Sequence, residues 1–205
     1  MAKFNNINEG PSGKIGSVVT YQMYGKSYMR SLPGSYRDAK SDKQLAQRQK
    51  MNLVLDFLRP FKDLIRLTFK EEAVGCSAFQ SAQSFNLKSG IKGAYPEQEI
   101  DFESALLSKG SVSVPQQVRV LEMQDGLLFE WDRQGDENKN DTLVVMARWR
   151  GTFNVACKMT GVKRGDRTYN WKVDGLDSRP LDVWIAFRDC KERGFSNSKY
   201  VGVIR

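Results

Sequence analysis

Hydrophobic and polar positions change rhythm twice along this chain. Residues 18–24 (VVTYQMY) and 27–31 (SYMRS) alternate in the manner of strands. One phase puts Val19, Tyr21 and Met23 on one face, with Val18, Thr20, Gln22 and Tyr24 on the other. Gly25-Lys26 supplies a turn and Leu32-Pro33-Gly34 an end, so the stretch predicts a β-hairpin. From residue 42 the period becomes helical: Val54, Leu58, Phe61 and Ile65 stand at i, i+4, i+7 and i+11, one buried stripe. Ser41 and Gln44 form a capping-box pair, and Pro60 kinks the helix or begins a second one. A further helix is expected over 76–87, closed by Gly90 and Gly93. Residues 100–107 read equally as a short strand or a helical turn.

After residue 116 short strands recur at even spacing: 117–123, 127–131, 142–149, 153–158, 167–173, 182–188 and 199–204, with turn residues between them. The expected fold class is therefore α+β: an N-terminal β-hairpin plus helices, then a C-terminal seven-stranded antiparallel β-sandwich. The domains are expected at 1–110, a basic hairpin and helical module, and 111–205, the sandwich. Trp131, Trp149, Trp171 and Trp184 all fall on the strands and are expected between the sheets. Residues 1–13 are polar and read as an arm.

Charge sharpens this division. Residues 14–70 hold twelve Lys/Arg against four Asp/Glu, which accounts for the whole net charge of +8. Such a module suits an anionic partner, whether nucleic acid, an acidic protein surface or a lipid headgroup; a solvated basic surface is the plainer alternative. Lys26, Arg30, Arg37, Lys43 and Arg48 interleave with Tyr21, Tyr24 and Tyr28. These eight are the candidate interaction residues, because Tyr and Arg serve both protein interfaces and single-stranded nucleic acid.

Candidate chemistry is sparse. The chain has no histidine, which removes imidazole acid–base catalysis, imidazole metal sites and a Cys–His nucleophile. Three scattered cysteines, Cys76, Cys157 and Cys190, form no C-x-x-C pair. They are expected to be small buried hydrophobes, with a Cys157–Cys190 bond the lesser alternative. Gly13-Lys14-Ile15-Gly16 lacks phosphate-loop spacing and reads as hairpin punctuation. Asp136, Glu137 and Asp141 lie in GDENKND, which reads as a solvated loop rather than a calcium site. Asp101 and Glu103 are a weak carboxylate pair. No enzyme, cofactor or metal is expected. No stretch approaches the ~20 apolar residues of a membrane span, and the N-terminus lacks a signal-peptide core, so a cytoplasmic protein is expected.

Several motifs carry resemblances. Pro115, Leu127-Leu128-Phe129-Glu130-Trp131, Val183-Trp184-Ile185-Ala186-Phe187 and Gly194-Phe195-Ser196-Asn197-Ser198 resemble the strand pattern of a fibronectin type III domain, implying that immunoglobulin-like fold for 115–205. Gly13-Lys14-Ile15-Gly16, Arg30-Ser31-Leu32-Pro33, Gln44-Leu45-Ala46-Gln47-Arg48 and Leu106-Leu107-Ser108-Lys109-Gly110 together resemble an uncharacterised family of roughly 200-residue Bacteroidota proteins, which implies no activity. More loosely, Gly25, Arg30 and Gln44 to Arg48 are similar to phage and prophage structural proteins. Asp38-Ala39-Lys40-Ser41 stands where those carry Asn-Pro-x-Thr. The expected function is a non-enzymatic structural or assembly protein, which the phage likeness implies to be phage- or mobile-element-related and virion-associated. It would act on a protein partner or on itself. Nucleic-acid binding through the basic module is the alternative.

Overall fold

A computed structural model of the chain describes residues 12–35, 38–124, 126–132, 135, 137–173 and 179–204. It divides into two compact units, residues 1–41 and 42–205. The polar arm falls, for residues 1–11, outside the described residues.

The first unit holds one antiparallel sheet, β1 (Gly13–Ile15), β2 (Val18–Met23) and β3 (Lys26–Ser31), in that order. The hairpin is present, but its turn is Tyr24-Gly25 rather than Gly25-Lys26. Met23 pairs with Lys26, and both turn residues have positive φ, 51° and 74°. That is the two-residue turn whose twist matches the strands, and glycine takes the second position without strain. Of the Gly13-Lys14-Ile15-Gly16 punctuation, Gly13–Ile15 is itself a strand, with Ile15 opposite Val18 and Gly13 opposite Thr20, and Gly16 lies in the turn to β2 at φ 59°.

The second unit is mixed α+β and rich in strands. Its helices are α1 (Asp42–Leu58), α2 (Lys62–Thr68) and α3 (Ala78–Ser89). Pro60 lies in a 3₁₀ turn, Arg59–Phe61, joining α1 to α2, so the proline begins a new segment. Ser77 and Gln80 cap α3 reciprocally; Ser77 Oγ accepts from the Gln80 N–H at 3.2 Å and the Gln80 side chain accepts from the Ser77 N–H at 3.0 Å. Residues 91–108 resolve the ambiguity of the sequence. A two-residue strand β4 (Ile91–Lys92) pairs with β5 (Glu99–Ile100), and a turn then leads into a buried extended segment.

Seven further strands follow: β6 (Val118–Met123), β7 (Gly126–Trp131), β8 (Thr142–Trp149), β9 (Val155–Lys163), β10 (Thr168–Lys172), β11 (Leu181–Arg188) and β12 (Lys199–Ile204). They make a three-stranded sheet ordered β10-β7-β6 and a four-stranded sheet ordered β12-β11-β8-β9. Both are antiparallel throughout.

β8 and β11 are buried on both faces, which explains their nearly unbroken apolar runs. Leu143, Val145 and Ala147, with Leu181, Val183, Ile185 and Phe187, pack on Leu127, Phe129, Trp131 and Trp171 of the three-stranded sheet. The alternate residues Val144, Met146, Trp184 and Ala186 pack on the helices, against the stripe of Val54, Leu58, Phe61 and Ile65. Trp131 and Trp171 sit where the sequence expects them. Trp184 does not: it faces the helices, ringed by Phe57, Phe61, Phe102 and Tyr200 at centroid distances of 5.9, 6.2, 5.6 and 5.2 Å.

The division in the structure thus falls between Ser41 and Asp42, and residue 110, where the sequence places a boundary, lies inside the second unit. Its surroundings are stitched on both sides. Asn86 Nδ2 donates to the Leu106 carbonyl (3.0 Å) and Asn86 Oδ1 accepts from the Leu106 N–H (2.9 Å). Thr68 Oγ1 donates to the Leu107 carbonyl (2.8 Å), and Ser108 Oγ to the Ser196 carbonyl (2.7 Å). A Cβ at Gly110 would collide with the Phe195 carbonyl, so only glycine fits there. The Leu106–Gly110 motif is this clasp.

Candidate interaction site

The eight candidate residues fall in both units. Tyr21, Lys26, Tyr28 and Arg30 lie on β2 and β3, and Tyr24 at the tip of their turn. Lys43 and Arg48 lie exposed on α1, in the second unit. Arg37 lies outside the described residues.

The register of the first sheet sorts its side chains. Directly opposed residues in antiparallel strands share a face. Lys14, Val19 and Arg30 form one row, Tyr21 and Tyr28 the next, and Met23 and Lys26 the third, all on one face. The other face carries Gly13, Ile15, Val18, Thr20, Gln22, Ser27, Met29 and Ser31, none of them charged. No Asp or Glu occurs anywhere in residues 12–35. The two tyrosine rings stack at 5.5 Å and 17°, and the Arg30 guanidinium lies 6.0 Å from the Tyr21 ring centre.

Little of this sheet is buried. Thr20 alone of residues 12–35 is buried, its hydroxyl donating to the Gly13 carbonyl at 3.3 Å. Ile15, Tyr21, Met23, Tyr24, Tyr28, Met29 and Leu32 are all exposed, Met29 to 72%. β3 is exposed at all six positions and is an edge strand.

In the second unit two clusters of polar groups are paired among themselves. A cleft of about 780 Å³ is lined by Lys92, Asp101, Glu103, Arg148, Arg150 and Tyr200 among others. At its wall the buried Asp182 carboxylate accepts a bidentate pair from Arg150 (2.8–3.1 Å) and the Tyr200 hydroxyl (2.7 Å). Burial, and then the bond to Asp182, push the Tyr200 phenol up to about 12. Asp101 accepts the Ser104 hydroxyl at 2.6 Å. The groups that line this cleft are of both signs.

The GDENKND loop departs from the sequence reading. Glu137 and Asp141 turn inward onto Arg164, whose side chain is fully buried, at 3.1 and 3.6 Å; Asp136 lies outside the described residues. Arg164 also donates to the Ser113 carbonyl at 2.7 Å and lies 4.0 Å over the Phe187 ring. Burial pushes the Asp141 carboxyl above its usual range, opposed by the Cys190 N–H and by Arg164. Asp141, Asp189 and Cys190 bring three ligand-type atoms within 4.8 Å. Asp141 already accepts the Cys190 N–H and faces Arg164, so its carboxylate is engaged within the fold. All three cysteines are free, and Cys157 and Cys190 are exposed rather than buried.

A family model described as "Family of unknown function (DUF6266)" matches residues 10–202, and the chain belongs to that family. No curated protein matches the chain. No helix among the described residues is long and apolar enough to cross a membrane.

Proposed function

We propose that this chain is a non-enzymatic assembly protein whose N-terminal sheet is its contact element. One observation carries the reading: seven large apolar side chains stand exposed on a three-stranded sheet only 24 described residues long. Exposed apolar side chains on both faces of a sheet with an open edge favour association. The second unit acts as the carrier. Its strand orders, β10-β7-β6 and β12-β11-β8-β9, support a seven-stranded fibronectin type III-like sandwich over residues 111–205. The likeness of the N-terminal half to phage structural proteins points toward a building-block role. Against an enzyme stands the absence of histidine, together with the mutual pairing of Arg150, Asp182 and Tyr200.

Light scattering over a concentration series tests the reading. Mass should rise with concentration for the wild type, and the double variant Ile15→Ser/Met29→Ser should stay monomeric with its melting temperature nearly unchanged. A wild type that is monomeric throughout, or a variant that associates equally well, overturns it.

A further inference from the structure

We infer that the charged face of the N-terminal sheet takes single-stranded nucleic acid. The inference rests on reading that sheet as a contact element, and it assigns a partner to one of its two faces. The face has cationic rows on either side of an aromatic row. Arg30 and Lys14 stand before the Tyr21–Tyr28 pair and Lys26 after it. Residues two apart on a strand are about 7 Å apart, so the cations flank the rings by about one such step on each side. Single-stranded nucleic acid asks for this arrangement: phosphates met by Lys and Arg, and a base plane set on an aromatic surface between them.

The partner is anionic, because three cations meet no carboxylate in residues 12–35. A second copy of the same face is excluded as occupant by charge, since like cations would oppose one another. An acidic protein would satisfy the charges but would leave unexplained a tyrosine pair that is exposed and stacked at 5.5 Å. Lys14, Lys26 and Arg30 lie on the sheet's two edge strands, where cations also discourage edge-to-edge aggregation. Edge protection, however, does not require all three to share the tyrosine face. The duplex is disfavoured for the same reason, as its bases are already stacked.

The test is fluorescence anisotropy on the full chain. The probes are a labelled oligothymidine of about 12 nucleotides, a matched duplex and polyglutamate as competitor. Saturable binding to the single strand is expected, weakening about 20-fold between 50 and 200 mM salt if three phosphates are met. Tyr21→Ala/Tyr28→Ala should lower affinity about tenfold or more at fixed salt without altering the salt slope. Tyr28→Phe should retain binding. Lys14→Ala, Lys26→Ala and Arg30→Ala should each flatten the slope by about 0.7. No saturable binding at 50 mM salt overturns the inference, as does tighter binding to the duplex. Displacement by polyglutamate as effective as by oligothymidine overturns it in favour of an acidic protein. None of these outcomes touches the Ile15→Ser/Met29→Ser experiment, which reads the uncharged face, so the two readings fail separately.

Discussion

Trp184 and the Tyr21–Tyr28 pair are both aromatic clusters on antiparallel strands, yet they belong to different kinds of structure. Trp184 is fully buried among four other rings and lies between a helical layer and a sheet. Tyr21 and Tyr28 are 36% and 39% exposed, on a sheet whose described residues include one buried side chain. A two- or three-stranded sheet with no core is marginal in water, and burial of apolar area is the main term that orders a chain. The second unit holds two buried hydrophobic clusters. The first has surface in place of packing, the feature on which the proposed association rests.

The comparison breaks most sharply on aromatic truncation. Trp184→Ala should destabilise by about 3–5 kcal/mol, the usual cost of a large cavity in a core. For a chain of this size that is a melting-temperature drop of about 6–20 °C. Tyr21→Ala/Tyr28→Ala should cost clearly less, because both rings are already exposed and their stacking adds only about 0.5–1.5 kcal/mol beyond the area they bury. Thermal melts of both variants by circular dichroism are the measurement. Equal drops would mean that the sheet is core after all.

A second variant probes what holds the strand-rich part of the second unit. Arg164→Ala removes the cation between Glu137 and Asp141 and its contact with Phe187, leaving two enclosed carboxylates without their counter-charge. Breaking a buried ion pair from one side costs about 3–5 kcal/mol, so a chemical-denaturation midpoint should shift strongly. A shift under about 1 kcal/mol would assign the cluster to the surface, as the loop's composition suggests.

That loop marks where the sequence stopped being legible. GDENKND reads as solvent-facing because each residue is polar, and nothing local announces that Arg164 will lie opposite. The strands were readable because each carries its own period: β7, β8, β11 and β12 fall within a residue or two of their expected bounds. The helical stripe was readable for the same reason, and Val54, Leu58, Phe61 and Ile65 are all buried. Destination was not readable. Val144 and Val145 look alike in a row of apolar residues, but one faces helices and the other a sheet. The division near residue 110 was expected because composition changes there. The structure instead runs a buried clasp through it, built from hydrogen bonds that span up to 91 residues of sequence. At the candidate site, tyrosines and cations were readable as a set. Their placement on a single face was not, since that depends on the turn being Tyr24-Gly25 and on Lys14 belonging to a strand.

The smallest expected effect concerns alkali, and it tests one buried group of the second unit. Tyr200 is held neutral in the folded chain, its phenol raised from 10.0 to about 12 chiefly by burial and next by its bond to Asp182. In the unfolded chain the same group loses its proton near pH 10. Between pH 10 and about 12 the unfolded state therefore binds fewer protons than the native one, and stability must fall as pH rises. Below pH 10 the contribution of Tyr200 is fully present. Tyr200→Phe has no proton to lose, and every other titrating group is common to both proteins, so the difference between the two isolates this phenol. Denaturant midpoints measured at pH 8 and pH 11 should converge for wild type and variant at the higher pH, from a modest wild-type advantage at the lower. A difference that stays constant with pH would mean that Tyr200 titrates alike in both states and that burial does not hold its phenol neutral.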